Sequence, residues 1–121
     1  MRIGAMTDSL RGLAQELEQF ARDRDWGQFH SPKNLASALV VEAAELLEHF
    51  QWLTEDQSRQ LEPTKRDAVA AEMADVLLYL LQLSAAVGVD LLAAAQAKVK
   101  ANGLKYPVHL AHGSSKKYDE L

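Results

Sequence analysis

The chain has 121 residues, a net charge of −4, 48% hydrophobic residues and no cysteine. Its length suits one domain with a modest core, and the missing cysteines exclude disulfides and thiolate metal sites. The chain opens without a long apolar stretch, so neither a signal peptide nor a membrane span is expected and a cytoplasmic location is the simplest reading; the final Tyr-Asp-Glu-Leu is read as a chance likeness to an ER-retention tail.

Leu10, Leu13, Ala14, Leu17, Phe20 and Ala21 recur at three and four, which predicts a first helix from about Asp8 to Arg24. The segment Asp25 to His30 breaks that pattern. Ser31 then reads as an N-cap with Pro32 in the first helical position. The second helix is expected to run to about Leu53, with Leu35, Leu39, Ala43, Leu46, Phe50 and Leu53 on one face. Thr54 and Gln57 fit a capping box for a short turn. Pro63-Thr64 restarts the chain into a third helix, about Lys65 to Val87, with a stripe of Val69, Met73, Val76, Leu77, Leu80 and Val87. Gly88 is its expected stop. Asp90 caps a fourth helix ending near Gly103. A tail rich in Gly, Ser and Lys follows and is expected to form a flexible arm from about residue 104. With no strand pattern, the fold expected is an all-α antiparallel bundle of about four helices, one domain over residues 1–121, with subunit pairing adding to its core.

Charge is unevenly placed. Asn34 to Asp56 and Asp67 to Ala97 contain no Lys or Arg, whereas basic residues gather at Arg22, Arg24 and Lys33 and in the tail from Lys98 onward. A duplex-binding surface would instead show a basic helix face. An acidic centre ringed by cations suits a metal-bound polyphosphate.

Two acidic pairs stand out, Glu42 with Glu45 and Glu72 with Asp75, each three residues apart and so neighbours on a helix face. The connection from Thr54 to Thr64 centres on residue 59. Glu42 and Asp75 are nearly equidistant from that centre, as are Glu45 and Glu72, so an antiparallel hairpin brings all four to about one level. At 100° per residue Glu42 falls within the apolar arc of its helix and Glu45 at the arc's edge, while Glu72 and Asp75 flank Tyr79 along the edge of the third stripe. A solvated acidic face is the plain alternative. Clustered carboxylates without basic partners either hold protons or take a cation. Oxygen ligands without thiolates favour a hard ion, magnesium, manganese or calcium, and magnesium fits a phosphate substrate. A di-iron carboxylate site calls for Glu-x-x-His on two helices, and none occurs here.

These motifs resemble the paired acidic motif of the MazG-like all-α nucleoside triphosphate pyrophosphatases. The flanks, Arg24-Asp25-Trp26-Gly27-Gln28-Phe29-His30, Pro32-Lys33-Asn34-Leu35, Phe50-Gln51-Trp52, Asp75-Val76-Leu77-Leu78-Tyr79, Lys105-Tyr106-Pro107-Val108 and Ser114-Ser115-Lys116-Lys117-Tyr118, resemble the dCTP pyrophosphatase branch. The resemblance implies magnesium-dependent cleavage between the α and β phosphates of dCTP or a modified dCTP, giving a monophosphate and pyrophosphate. It implies Glu42, Glu45, Glu72 and Asp75 as metal ligands and Trp26, Gly27, Gln28, Phe29, His30, Trp52 and Tyr79 as nucleotide contacts. It also implies a homo-oligomer, commonly a tetramer, with sites formed between subunits. Val41 and Ala44 depart from the small glycines common around that branch's first acidic motif.

The residues have their own readings beside the family's. Trp26 and Trp52 offer faces for a base, or pack in a core or subunit contact. His30 suits a phosphate or base edge, or stands exposed in a loop. Asn34 reads a base edge or bonds backbone in the first helical turn. Lys33 and the helix start supply positive potential. Lys116, Lys117 and Tyr118 form an arm over the triphosphate or a solvated tail. Tyr79 bonds phosphate or sugar, or sits with its ring in the core and its hydroxyl at the rim. Glu45 is the candidate to accept a proton from the attacking water. A phosphoribosyl-ATP pyrophosphatase-like enzyme and a non-catalytic helical oligomer remain the alternatives.

Overall fold

The computed structural model describes the backbone of residues 3–121 and the side chains from Ser9 onward. Among these residues there is no strand. The chain forms α1 (Ile3–Asp23), α2 (Pro32–Glu48), α3 (Glu55–Arg59), α4 (Pro63–Val87), α5 (Leu91–Lys105) and α6 (Val108–Ala111), with single 3-10 turns at Gly27–Phe29 and Tyr118–Glu120. Residues through Val89 make one compact unit and Asp90–Leu121 a second.

Local chemistry sets the helix ends. Ser31 is extended, its Oγ accepts from the Asn34 amide at 3.1 Å, and Pro32 opens α2. Thr54 and Gln57 form the reciprocal capping box of α3. Gly88 closes α4 in the left-handed conformation at φ 71°, where a side chain would be strained. Asp90 accepts from the Ala93 amide at 3.0 Å and starts α5.

Three boundaries differ from the sequence reading. α1 begins at Ile3, five residues before Asp8. α2 ends at Glu48, five residues before Leu53. The amides of His49 and Phe50 turn back to the carbonyls of Leu46 and Leu47, and this tightened turn carries Phe50 and Leu53 off the helix toward the Thr54 cap. The tail is helical further than expected, because α5 reaches Lys105 and α6 follows Pro107. In this second unit the Tyr118 ring meets Tyr106 edge-on at 6.3 Å, with the Lys105 ammonium 4.9 Å from its centre.

In the first unit α2 and α1 both pack on α4. Leu35, Val69 and Leu81 are its fully buried apolar residues. The single stripe expected on α4 is only partly inward, for Met73, Leu77 and Val87 are exposed. α4 is apolar nearly all round, so two neighbours cover two sides and leave a third bare. By length and composition alone α4 would also serve to cross a membrane. Glu72 and Asp75 lie within it, and Val69 and Leu81 are its buried residues.

Candidate active site

Glu42 and Glu45 on α2 face Glu72 on α4, and each offers a carboxylate oxygen within 4.8 Å of the others'. All three are half-buried. Glu42 Oε2 and Glu72 Oε2 are out of contact with solvent and have no hydrogen-bond partner. Burial, then the adjacent Glu45 and Glu72 carboxyls and the charge of Asp75, push the Glu42 carboxyl up from 4.5 to about 7. Two carboxylates hydrogen-bond only with a proton between them, so the cluster is left with a proton to keep or a cation to take.

The donor set fits a hard divalent cation. It is all oxygen, it converges from two helices, and two of its buried oxygens lack a donor. Asp75 stands one turn along α4 from Glu72, exposed, and near enough to raise Glu42.

Asp75 also lines a cavity of about 320 Å³. One wall is a helical face of α1, with Leu13, Glu16, Leu17 and Phe20, and the other a face of α4, with Asp75, Leu78, Tyr79 and Gln82. Trp26 and His30 complete it. The volume is at the low end for small-ligand sites, room for a base rather than a whole nucleotide.

The placement of Trp26 follows from how α1 stops. Asp25 is left-handed, at φ 54°. The Asp25 amide bonds Arg22 O at 3.1 Å and the Trp26 amide bonds Ala21 O at 2.9 Å. This pair is a Schellman stop with Asp25 in the place usually held by glycine. It sets Trp26 edge-on to Phe20 at 5.6 Å, the apolar contact that accompanies such a stop. His30 meets Trp26 on the other side at 6.4 Å, and the Arg24 guanidinium lies 3.5 Å from the centre of the Phe20 ring.

Other loop residues hold the loop itself. Gln28 donates to the Asp25 carbonyl at 3.0 Å and to its carboxylate at 3.2 Å. Asn34 donates from its side chain to Phe29 O at 2.9 Å, tying the loop to the first turn of α2. Gly27 starts the 3-10 turn, and Phe29 and Lys33 are exposed. Trp52 is 87% exposed and is not part of the cavity wall. Lys116, Lys117 and Tyr118 belong to the second unit. Sequence reasoning missed the α1 wall and Gln82. Gln82 is a polar residue in the apolar run after Tyr79, seven residues beyond Asp75 and so on the same helix face.

The facing helices thus bring Glu-x-x-Glu and Glu-x-x-Asp carboxylates beside a cavity with aromatic residues in its wall, an arrangement of an all-α fold class. The chain belongs to the MazG-like family, whose sequence model matches residues 38–121. It is 48% identical over 105 residues to human dCTP pyrophosphatase 1, covering 85% of this chain and 62% of that protein. The rat dCTP pyrophosphatase 1 is 46% identical over the same shares. The chain thus spans about 62% of the length of these curated relatives. Among solved structures, a pyrophosphatase from Archaeoglobus fulgidus DSM 4304 superposes with a TM-score of 0.77 at 37% identity, over 82% of this chain and 93% of that one.

Proposed function

We propose that this chain is a magnesium-dependent nucleoside triphosphate pyrophosphohydrolase acting on dCTP or a modified dCTP, in the cytoplasm, and giving the monophosphate and pyrophosphate. The observation that carries this reading is the meeting at Asp75 of an unpartnered carboxylate cluster and a base-sized cavity with aromatic walls. The names of the similar proteins support the substrate class.

Glu42, Glu45, Glu72 and Asp75 would hold magnesium, or manganese in its place; when bound, the ion supplies charge neutralisation for the triphosphate and Lewis-acid activation. Trp26 stacks on the base, a contact of about 1–3 kcal/mol. Tyr79, on the cavity wall one turn from Asp75, bonds sugar or phosphate. Glu45 accepts a proton as water oxygen bonds the α-phosphorus, and the bond from that phosphorus to the bridging oxygen breaks, with its electron pair leaving on pyrophosphate. Lys33 offsets charge on the leaving group.

Exposed apolar residues on α2 (Val40, Val41, Leu47) and α4 (Met73, Leu77) support assembly as a homo-oligomer, a tetramer by the family's habit. Trp52 then contacts substrate or a neighbouring copy. The test is pyrophosphate release from a panel of canonical and modified triphosphates with magnesium. Release from none of them sinks the proposal.

A further inference from the structure

Arg24 follows the last turn of α1 and grips the aromatic side of the cavity without lining it. Its Cζ lies 3.5 Å from the centre of the Phe20 ring. An atom that close is over the ring's face, because the ring's edge holds an in-plane neighbour farther off. The same guanidinium donates to Phe20 O at 3.1 Å. One side chain therefore holds both the ring and the carbonyl of Phe20. A planar cation suits this, since it stacks while its edge donors stay free to bond. The acids that flank it in sequence bond elsewhere: Asp23 accepts from Gln19 Nε2 at 2.6 Å and Asp25 from Gln28 Nε2 at 3.2 Å. Phe20 is in turn the seat of Trp26, edge-on at 5.6 Å, and Trp26 meets His30 at 6.4 Å. These three rings all line the cavity, whereas Arg24 does not. Phe20 and Trp26 each keep 43% of their surface exposed, so burial alone does not fix their rotamers. Phe20 also belongs to the final turn of its helix, where helices fray.

We propose that Arg24 is a positioning residue: stacked on Phe20, it holds the Phe20–Trp26 pair in the orientation that receives the base, without touching the nucleotide itself. For the base this rests on the pyrophosphohydrolase reading; for the aromatic geometry it does not. Without the guanidinium the Phe20 ring loses a partner on one face and Trp26 loses a fixed seat. The nucleotide then meets a wall that must be ordered as it binds, and that ordering weakens affinity. Binding suffers and the chemical step does not, because the carboxylates sit on α2 and α4.

The experiment compares the wild-type chain with Arg24→Met, which keeps the stem but loses charge and donors, and Arg24→Lys, which keeps the charge but loses the plane. Steady-state kinetics on dCTP with magnesium are paired with acrylamide quenching of Trp26 in the nucleotide-free protein. Trp26 and Trp52 are the chain's two tryptophans, so a Trp52→Phe background isolates the Trp26 emission for the quenching series. Arg24→Met is expected to raise KM about two- to fivefold, the equivalent of about 0.5–1 kcal/mol for an exposed cation on a ring. It should leave kcat within about twofold and make Trp26 easier to quench. Arg24→Lys is expected to recover part of both. Added to Phe20→Leu, Arg24→Met should raise KM no further, because the ring it acts through is gone. Wild-type KM in a folded Arg24→Met, or a raised KM with quenching unchanged, overturns the positioning role while the pyrophosphohydrolase reading stands. A KM effect just as large in the Phe20→Leu chain overturns it too, since Arg24 would then act through its charge on the triphosphate. If the wild type turns over no triphosphate, the pyrophosphohydrolase reading falls and quenching alone decides: easier quenching in Arg24→Met supports the grip on Phe20 and Trp26, and unchanged quenching overturns it.

Discussion

At the scale of single residues, the cluster is governed by the want of a donor for Glu42 and Glu72. Glu42 sits near 7 when no cation is present, well above its ordinary 4.5, because burial and its acidic neighbours penalise its charge. The folded state therefore binds its proton more tightly than the unfolded chain does. Stability from this group is full below about 4.5 and is lost as pH rises through about 7. The melting temperature of the metal-free protein should fall between pH 5 and pH 8, and saturating magnesium should raise it most at the upper end, where ion and proton no longer compete. A metal-free melting temperature that climbs over that range would contradict the Glu42 environment. Glu45→Gln should lower kcat by about 10²–10⁴-fold, the usual contribution of a positioned base, in a protein that still folds. Wild-type turnover in that variant would remove Glu45 from the chemistry.

The convergence of Glu42, Glu45 and Glu72 was legible in the sequence, because their spacing and their nearly equal distance from residue 59 are properties of helices and hairpins, whereas Asp75 stays exposed beside them. Gln82 was not, because a glutamine one turn past Tyr79 looks the same whether it faces solvent or a desolvated wall. Asn34 reads equally well as a base contact or a backbone bond, Gln28 as a nucleotide contact by resemblance, and only the folded loop shows their amides bonded to Phe29 and Asp25.

At the scale of elements, the stop of α1 matters most, since it aims Trp26. The sequence shows a break at Asp25 to His30, but which residue turns left-handed is fixed by the backbone bonds to Ala21 and Arg22. Asp tolerates that conformation better than most residues, Gly better still, and a β-branched residue poorly. Asp25→Gly should leave the melting temperature and KM close to wild type. Asp25→Val should cost about 1–2 kcal/mol of stability and raise KM, because Trp26 loses its seat on Phe20. Equal melting and KM for both variants would show that this turn does not hold the cavity. The early end of α2 has a similar cause: the tightened turn at His49 and Phe50 and the Thr54 cap override an apolar periodicity that continues to Leu53.

At the scale of the whole molecule, the core is small for so apolar a chain. Leu35, Val69 and Leu81 are fully buried, while Val40 keeps 68% and Met73 57% of its surface exposed. Periodicity identified α4 as helical but could not say how many of its sides would be covered, since a helix apolar all round gives no single stripe. In the proposed homo-oligomer a second copy would cover the bare faces of α2 and α4. Light scattering at micromolar concentration should give a multiple of the 13.4 kDa chain mass. Val40→Glu combined with Leu47→Glu should shift it toward the monomer and lower the melting temperature. A wild-type chain that is monomeric at that concentration would leave the exposed faces without their proposed cover.

Product analysis by phosphorus NMR tests most directly whether the acidic cluster and the cavity serve one reaction. With dCTP and magnesium the account predicts dCMP and pyrophosphate as the only products, and none once the magnesium is chelated. Formation of dCDP and phosphate, or turnover undiminished by chelation, would contradict it.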